Sequence, residues 1–239
     1  MMTMKIKPLF LLVALFVCGT IGAQELINPV ILFSKKKDAY ITMQDGSELV
    51  GLITGVKRKK GLIREIKFRG SDGQKQKINP DKVQHMYVQP TALDKISNAL
   101  DKATDTQRWE EESINHDLLK EGYVYYENAE VLVKKKKRTL LMQLLNPHFG
   151  AKVKVYHDPL ARETASAGVG GFKVAGGDAK SYYVQFGDET GFKLEKKRYR
   201  KSFDELYEDC PSTVSKYSDN VQWGDLTEHI TSFTDCSGS

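Results

Sequence analysis

Cysteine is scarce in this 239-residue chain, with residues at Cys18, Cys210 and Cys236 only. So few thiols exclude a disulfide-dense scaffold and a four-cysteine zinc site. Histidine is nearly as rare, and His85, His116, His148, His157 and His229 show no His-x-Glu-x-His or His-x-x-x-His spacing. That removes the usual sequence signatures of a zinc site. No Gly-x-Ser-x-Gly elbow is present, so an ordinary α/β-hydrolase is not indicated. The glycines at 168, 170, 171, 176 and 177 lack a partner at Lys173 and are followed by no Gly-Lys-Ser/Thr. They therefore fit neither a dinucleotide fingerprint nor a phosphate loop. The acidic runs Glu110–Glu112 and Asp204, Glu205, Glu208 and Asp209 suit solvated helix faces better than two carboxylates facing each other across a cleft. No catalytic residue, cofactor or metal ligand is assigned.

Long apolar runs are also missing, apart from Leu9 to Cys18 near the start. That stretch is shorter than the roughly 20 residues a spanning helix needs. It follows Lys5 and Lys7 and precedes the small residues Gly19, Thr20, Gly22 and Ala23. The three-part pattern predicts a secretory signal peptide over residues 1–23, cut between Ala23 and Gln24. The mature chain is then expected in the periplasm or secreted, or associated with the outer membrane, with no transmembrane segment. Cys18 leaves with the signal. Cys210 and Cys236 remain, to pair in an oxidising compartment or to persist as two free thiols.

The apolar share of 40% is enough to build a core, and the charged share of 28% is ordinary for a soluble protein. The net charge of +5 falls to about +3 once the two signal lysines are gone, which by itself demands no acidic partner.

Residues 24–90 read as a compact β module. Tyr40–Gln44 and Glu48–Val56 flank Asp45-Gly46, a pair suited to a two-residue hairpin turn with both residues at positive φ. Lys57–Gly61 reads as a basic loop. Leu62–Arg69, Gln74–Ile78 and Val83–Val88 complete five short strands, the pattern of a small barrel. The runs Ile41-Thr42-Met43-Gln44-Asp45-Gly46-Ser47, Leu49, Gly51, Ile78 and Pro80-Asp81-Lys82-Val83 resemble SH3-like or Sm-like modules of uncharacterised exported bacterial proteins. The segment Tyr199–Pro211 resembles the C-terminal helical part of such proteins. The resemblance implies a layout and no activity.

Residues 91–120 read as a helical connector, with Leu93, Ile96, Leu100 and Ala103 at helical spacing over 91–103. Residues 121–239 read as a β-rich module. Its strands are Tyr123–Tyr126, Val131–Val133, Thr139–Leu145, Val153–Tyr156, Tyr182–Phe186 and Phe192–Leu194. A flexible loop is expected from Ala165 to Gly177. Two helices cover the module, one opening on a Ser202/Glu205 capping box and one carrying Trp223, Leu226, Ile230 and Phe233. The expected fold class is α+β: N-terminal barrel, helical connector, C-terminal β module covered by two helices.

Three basic runs stand out: Lys57–Lys60, Lys134-Lys135-Lys136-Lys137-Arg138, and Lys196–Arg198 with Arg200-Lys201. In an exported protein a nucleic-acid partner is not expected. Lysines at hairpin tips and strand edges also discourage aggregation. The expected function is that of a non-catalytic binding or structural protein of the bacterial envelope, contacting an unidentified protein or envelope component. Two rivals remain. One is an envelope hydrolase with a dispersed site built on His148, His157 and Asp158. The other is a peripheral binder of anionic membrane through Lys134–Arg138.

Overall fold

A computed structural model of the chain describes residues 25–91, 114–161, 168–169, 172–173 and 179–236. The signal segment and the helix expected over 91–103 lie outside the described residues, Thr91 excepted. The architecture is α+β. The strands are β1 (Asp38–Met43), β2 (Glu48–Lys59), β3 (Leu62–Gly70), β4 (Lys75–Ile78) and β5 (Val83–Val88). After a short helix α1 (His116–Lys120) come β6 (Val124–Val133), β7 (Lys136–Gln143) and β8 (Val153–His157). β9 (Gly168–Val169) and β10 (Phe172–Lys173) form a two-stranded ribbon inside the stretch expected to be a loop. β11 (Ser181–Phe186), β12 (Phe192–Glu195), and helices α2 (Lys196–Leu206), α3 (Pro211–Tyr217) and α4 (Leu226–Cys236) complete the chain.

The main correction concerns the barrel. β1 to β5 do not close on themselves. They continue into β6 and β7 as one seven-stranded antiparallel sheet of order β4-β3-β2-β1-β5-β6-β7, with no ladder joining its ends among the described residues. Hydrophobic alternation explains why. In β6, Val124 and Tyr126 enter the core under β1 to β5 with Ile41, Ile66 and Met86, while Tyr125, Ala129 and Val131 face a second cluster. A strand apolar on both sides must be covered on both sides. Strands from residues 24–90 and from residues 121–239 thus share one sheet.

The second covering layer is a three-stranded sheet, β12-β11-β8. Tyr156 and Tyr183 from its inner face meet Tyr125 and Met142 of the large sheet and Leu144 just after β7. Its outer face, through Val155, Val184 and Leu194, packs on Tyr199, Phe203 and Ile230 of the helices. Gly191 stitches the sheets together: its carbonyl accepts from Leu132 and its N–H donates to Glu130.

The turns differ from expectation in an instructive way. At Asp45-Gly46 only Gly46 has positive φ, at 82°, and Met43 N bonds to Ser47 O, which makes a three-residue loop. Both residues take positive φ instead at Lys60-Gly61 and at Lys134-Lys135. Lys57 to Lys59 belong to strand β2, so the expected basic loop shrinks to Lys60-Gly61.

The helical region also departs from expectation. α2 starts at Lys196, and Ser202 sits in its interior, where its hydroxyl donates to the Arg198 carbonyl. Three helices rather than two cover the small sheet. Cys210 occupies the N-cap position of α3, with Pro211 at the first helical position. It is disulfide-bonded to Cys236 at the end of α4, with a Cα separation of 5.9 Å. The bond ties α3 to α4 across 26 residues of sequence. Cys210→Ala with Cys236→Ser should lower the unfolding free energy by about 3 kcal/mol, read as a shift in the urea midpoint. An unchanged midpoint would show that the cross-link constrains nothing the packing does not already hold.

Candidate functional site: a basic hairpin tip

The β6–β7 hairpin carries the largest basic run to its tip. Val133 pairs with Lys136, leaving Lys134 and Lys135 as a two-residue turn. Their φ values are 50° and 65°. This is the left-handed region, which costs a residue with a Cβ roughly 1–2 kcal/mol. The usual solution is Asn-Gly. Lysine twice at such a turn is locally unfavourable.

All five cations of the tip are exposed. Lys137 pairs with Glu130 at 2.8 Å, while Thr190 also donates to that carboxylate, and together these bonds hold Glu130 below the usual carboxylate range. Among the described residues, no ion pair engages Lys134, Lys135, Lys136 or Arg138. β7 is an edge strand, so Lys136 to Arg138 also blunt an open edge. The turn lysines are not needed for that.

The other basic runs are more occupied. Lys57 pairs with Glu65 at 3.0 Å. Arg58 donates to Ile31 O and Gly61 O and lies 5.3 Å from the Phe33 ring centre. Lys197 and Arg198 pair with Glu195.

The residues of the hydrolase alternative stand in different settings. Asp158 is fully buried. One oxygen accepts from Leu160 N, and the other accepts from Ser181 Oγ and pairs with Lys193 at 2.7 Å. His157 is the last residue of β8, opposite Tyr182. His148 is held down at about 4 by burial and by nearby His116. Among the described residues no three His, Cys, Asp or Glu side chains are grouped to hold a metal. The shallow groove by β2, β3 and β4 is lined by Glu48, Val50, Asp72, Gln74 and Gln76 among others, with no histidine or cysteine.

Two polar networks escaped sequence reasoning. Glu127 on β6 accepts from Tyr156 at 2.7 Å, Lys154 at 3.2 Å and Tyr125 at 3.4 Å, joining the two sheets. His85 lies alongside, 3.1 Å from Thr42 Oγ1. Burial lowers its pKa, and Glu127 and Glu48 oppose the shift. In the helical layer Tyr199 Oη lies 2.8 Å from His229 Nδ1 and 3.1 Å from Tyr207 Oη. The only sequence hint was the density of tyrosine, because partners so far apart in the chain leave no local spacing. No helix among the described residues is long and apolar enough to cross a membrane. No protein-family model, curated protein or solved structure matches the chain.

Proposed function

We propose that this is an exported, non-catalytic binding protein of the bacterial envelope, with the β6–β7 tip as its contact with an anionic partner. One observation carries the reading. Lys134 and Lys135 occupy a turn whose backbone favours Asn-Gly. Residues kept at a local cost point to a use for their charge. Edge protection accounts for Lys136 to Arg138 and leaves the turn pair unexplained. The predicted signal peptide turns the reading away from nucleic acid and toward acidic polymers or acidic protein surfaces.

The test is Lys134→Asn with Lys135→Gly. Relief of the left-handed strain should raise stability by about 1 kcal/mol. Loss of two charges should weaken binding to an immobilised polyanion such as heparin roughly tenfold at low salt, with the difference fading as salt rises. A variant that gains stability and keeps its retention would leave the tip as a surface ornament.

A further inference from the structure

A second surface lies at the opposite end of the large sheet's strands. β1 runs antiparallel to both β2 and β5, and β6 runs antiparallel to β5. β6 therefore runs opposite to β2, and the β6–β7 tip and the β2–β3 turn sit at opposite ends of the strands. At the β2–β3 end the chain from Glu25 to Ser34 is sewn down as a strap. Ile27 N donates to Leu145 O, Val30 N to Gln143 Oε1, and Tyr126 Oη to Val30 O. Phe33 bridges to Pro90, and Thr91 N donates to Leu32 O. Ile27, Val30 and Phe33 are buried by this stitching.

Ile31 and Leu32 are not. They are 59% and 53% exposed, and Leu160 is 47% exposed. These are three of the five large apolar side chains exposed among the described residues, and contacts place them together. Arg58 joins the Ile31 carbonyl to the Gly61 carbonyl. Gly61 in turn rests on Pro159, so closely that a Cβ there would lie 2.5 Å from the Pro159 carbonyl oxygen. Leu160 is the next residue. The strap, the β2–β3 turn and the segment after β8 are thus neighbours, and Ile31, Leu32 and Leu160 are the exposed apolar side chains they carry.

Its surroundings are basic. Lys35, Lys36 and Lys37 follow the strap, Lys59 precedes the β2–β3 turn and Lys60 is part of it; all five are exposed. Among the described residues none of the five is held in an ion pair. Asp38 is the neighbouring acid on the strap side. Exposed leucine and isoleucine beside a cluster of lysines have one natural complement, an apolar layer beneath a negatively charged surface. An acidic protein would answer the lysines but leave the apolar trio wet, and a neutral bilayer would do the reverse.

We propose that this end of the sheet docks on an anionic lipid bilayer. Ile31, Leu32 and Leu160 enter the interfacial layer, and Lys35 to Lys37, Lys59 and Lys60 contact lipid headgroups. The proposal does not depend on the role given to the β6–β7 tip.

The experiment is co-sedimentation of the mature protein with phosphatidylcholine vesicles made with and without phosphatidylglycerol. Binding should require phosphatidylglycerol and should weaken, without vanishing, as salt rises. Leu32→Ser with Leu160→Ser should lower the partition coefficient at least tenfold, with thermal stability unchanged because both side chains are exposed. In a Leu32→Trp variant the indole emission should shift to the blue and be quenched by brominated lipid. Lys134→Asn with Lys135→Gly should bind vesicles as the native protein does. Undiminished binding by the serine variant, or an unquenched tryptophan at position 32, overturns the proposal. Vesicle binding lost only on changing Lys134 and Lys135 overturns it too, and assigns the membrane contact to the hairpin tip.

Discussion

Replacing Phe203 by alanine should lower the unfolding free energy by about 4 kcal/mol, the largest loss expected from any single side chain in the helical layer. Phe203 has no exposed surface. It projects from α2 into the space between the small sheet and α4. Its ring centre lies 4.8 Å from that of Tyr207, 4.9 Å from that of His229 and 6.0 Å from that of Tyr199. The cavity left by truncation cannot easily collapse. α2 is continuous with β12 at Glu195, α4 is tied to α3 by the disulfide, and Tyr199 is held by its contact with His229. Both the lost transfer energy and the cavity then count in full. Leu206→Ala, at a partly exposed position of the same helix, should cost about 1 kcal/mol. Urea denaturation followed by circular dichroism measures both. A loss below about 1 kcal/mol for Phe203→Ala would mean that the helices are not packed as described.

Much of the strand pattern is legible in the sequence, because period-2 alternation and turn residues are local signals. β5 matches its expected span residue for residue, and β3, β8, β11 and β12 match to within a residue at each end. What the sequence hid is where β6 belongs. The block Tyr123–Tyr126 is buried at every position, so it gives no sign of which side meets which sheet. The break expected between Tyr126 and Val131 does not exist, because Asn128, whose amide donates to the Pro80 and Val83 carbonyls, and Ala129 continue the strand. Glu127, Asn128 and Glu130 imitate a turn.

At the candidate surfaces the legibility is similar. The lysines of the β6–β7 tip were visible as a run, but the left-handed turn beneath them was not, since lysine is not a turn residue by type. The apolar-then-basic stretch Ile31-Leu32-Phe33-Ser34-Lys35-Lys36-Lys37 was not among the runs singled out in the sequence. That Phe33 is buried while its two predecessors are exposed depends on Pro90 and Gln89, far along the chain. The α2 start was expected at Ser202, six residues too late. Ser202 and Glu205 imitate a capping box, and five cations in the first two turns oppose the helix dipole, so nothing local marks the true start at Lys196. Packing of Tyr199 and Phe203 overrides that preference.

Acidification should unfold the protein progressively, and the cause lies in its buried histidines. His148 is held at about 4, against 6.5 for an ordinary histidine, by burial and by the neighbouring His116. His229 has no exposed surface. Its pKa is lowered by burial, against the opposing pull of Asp225 and Glu228, with Lys216 adding to the decrease. Among the described residues its Nε2 has no hydrogen-bond partner, so a proton there would be placed among the aromatic rings of Phe203, Tyr207 and Tyr217. A histidine whose folded value lies below its unfolded value binds fewer protons when folded. Stability then rises with pH through that window and is complete above the unfolded value. The loss therefore begins as pH falls through about 6.5 and runs, for His148, to about 4. His148 alone should contribute about 3 kcal/mol at the acid end, with His229 and the half-buried His85 adding to it. Urea midpoints measured from about pH 7 to about pH 4 should fall steadily. His148→Gln should flatten the slope by close to one proton. A native slope retained in that variant, or a His148 ring resonance that titrates near 6.5 in the folded protein, would place the acid sensitivity elsewhere. Confirmation would tie the stability of the β8 and helical layers to a neutral compartment.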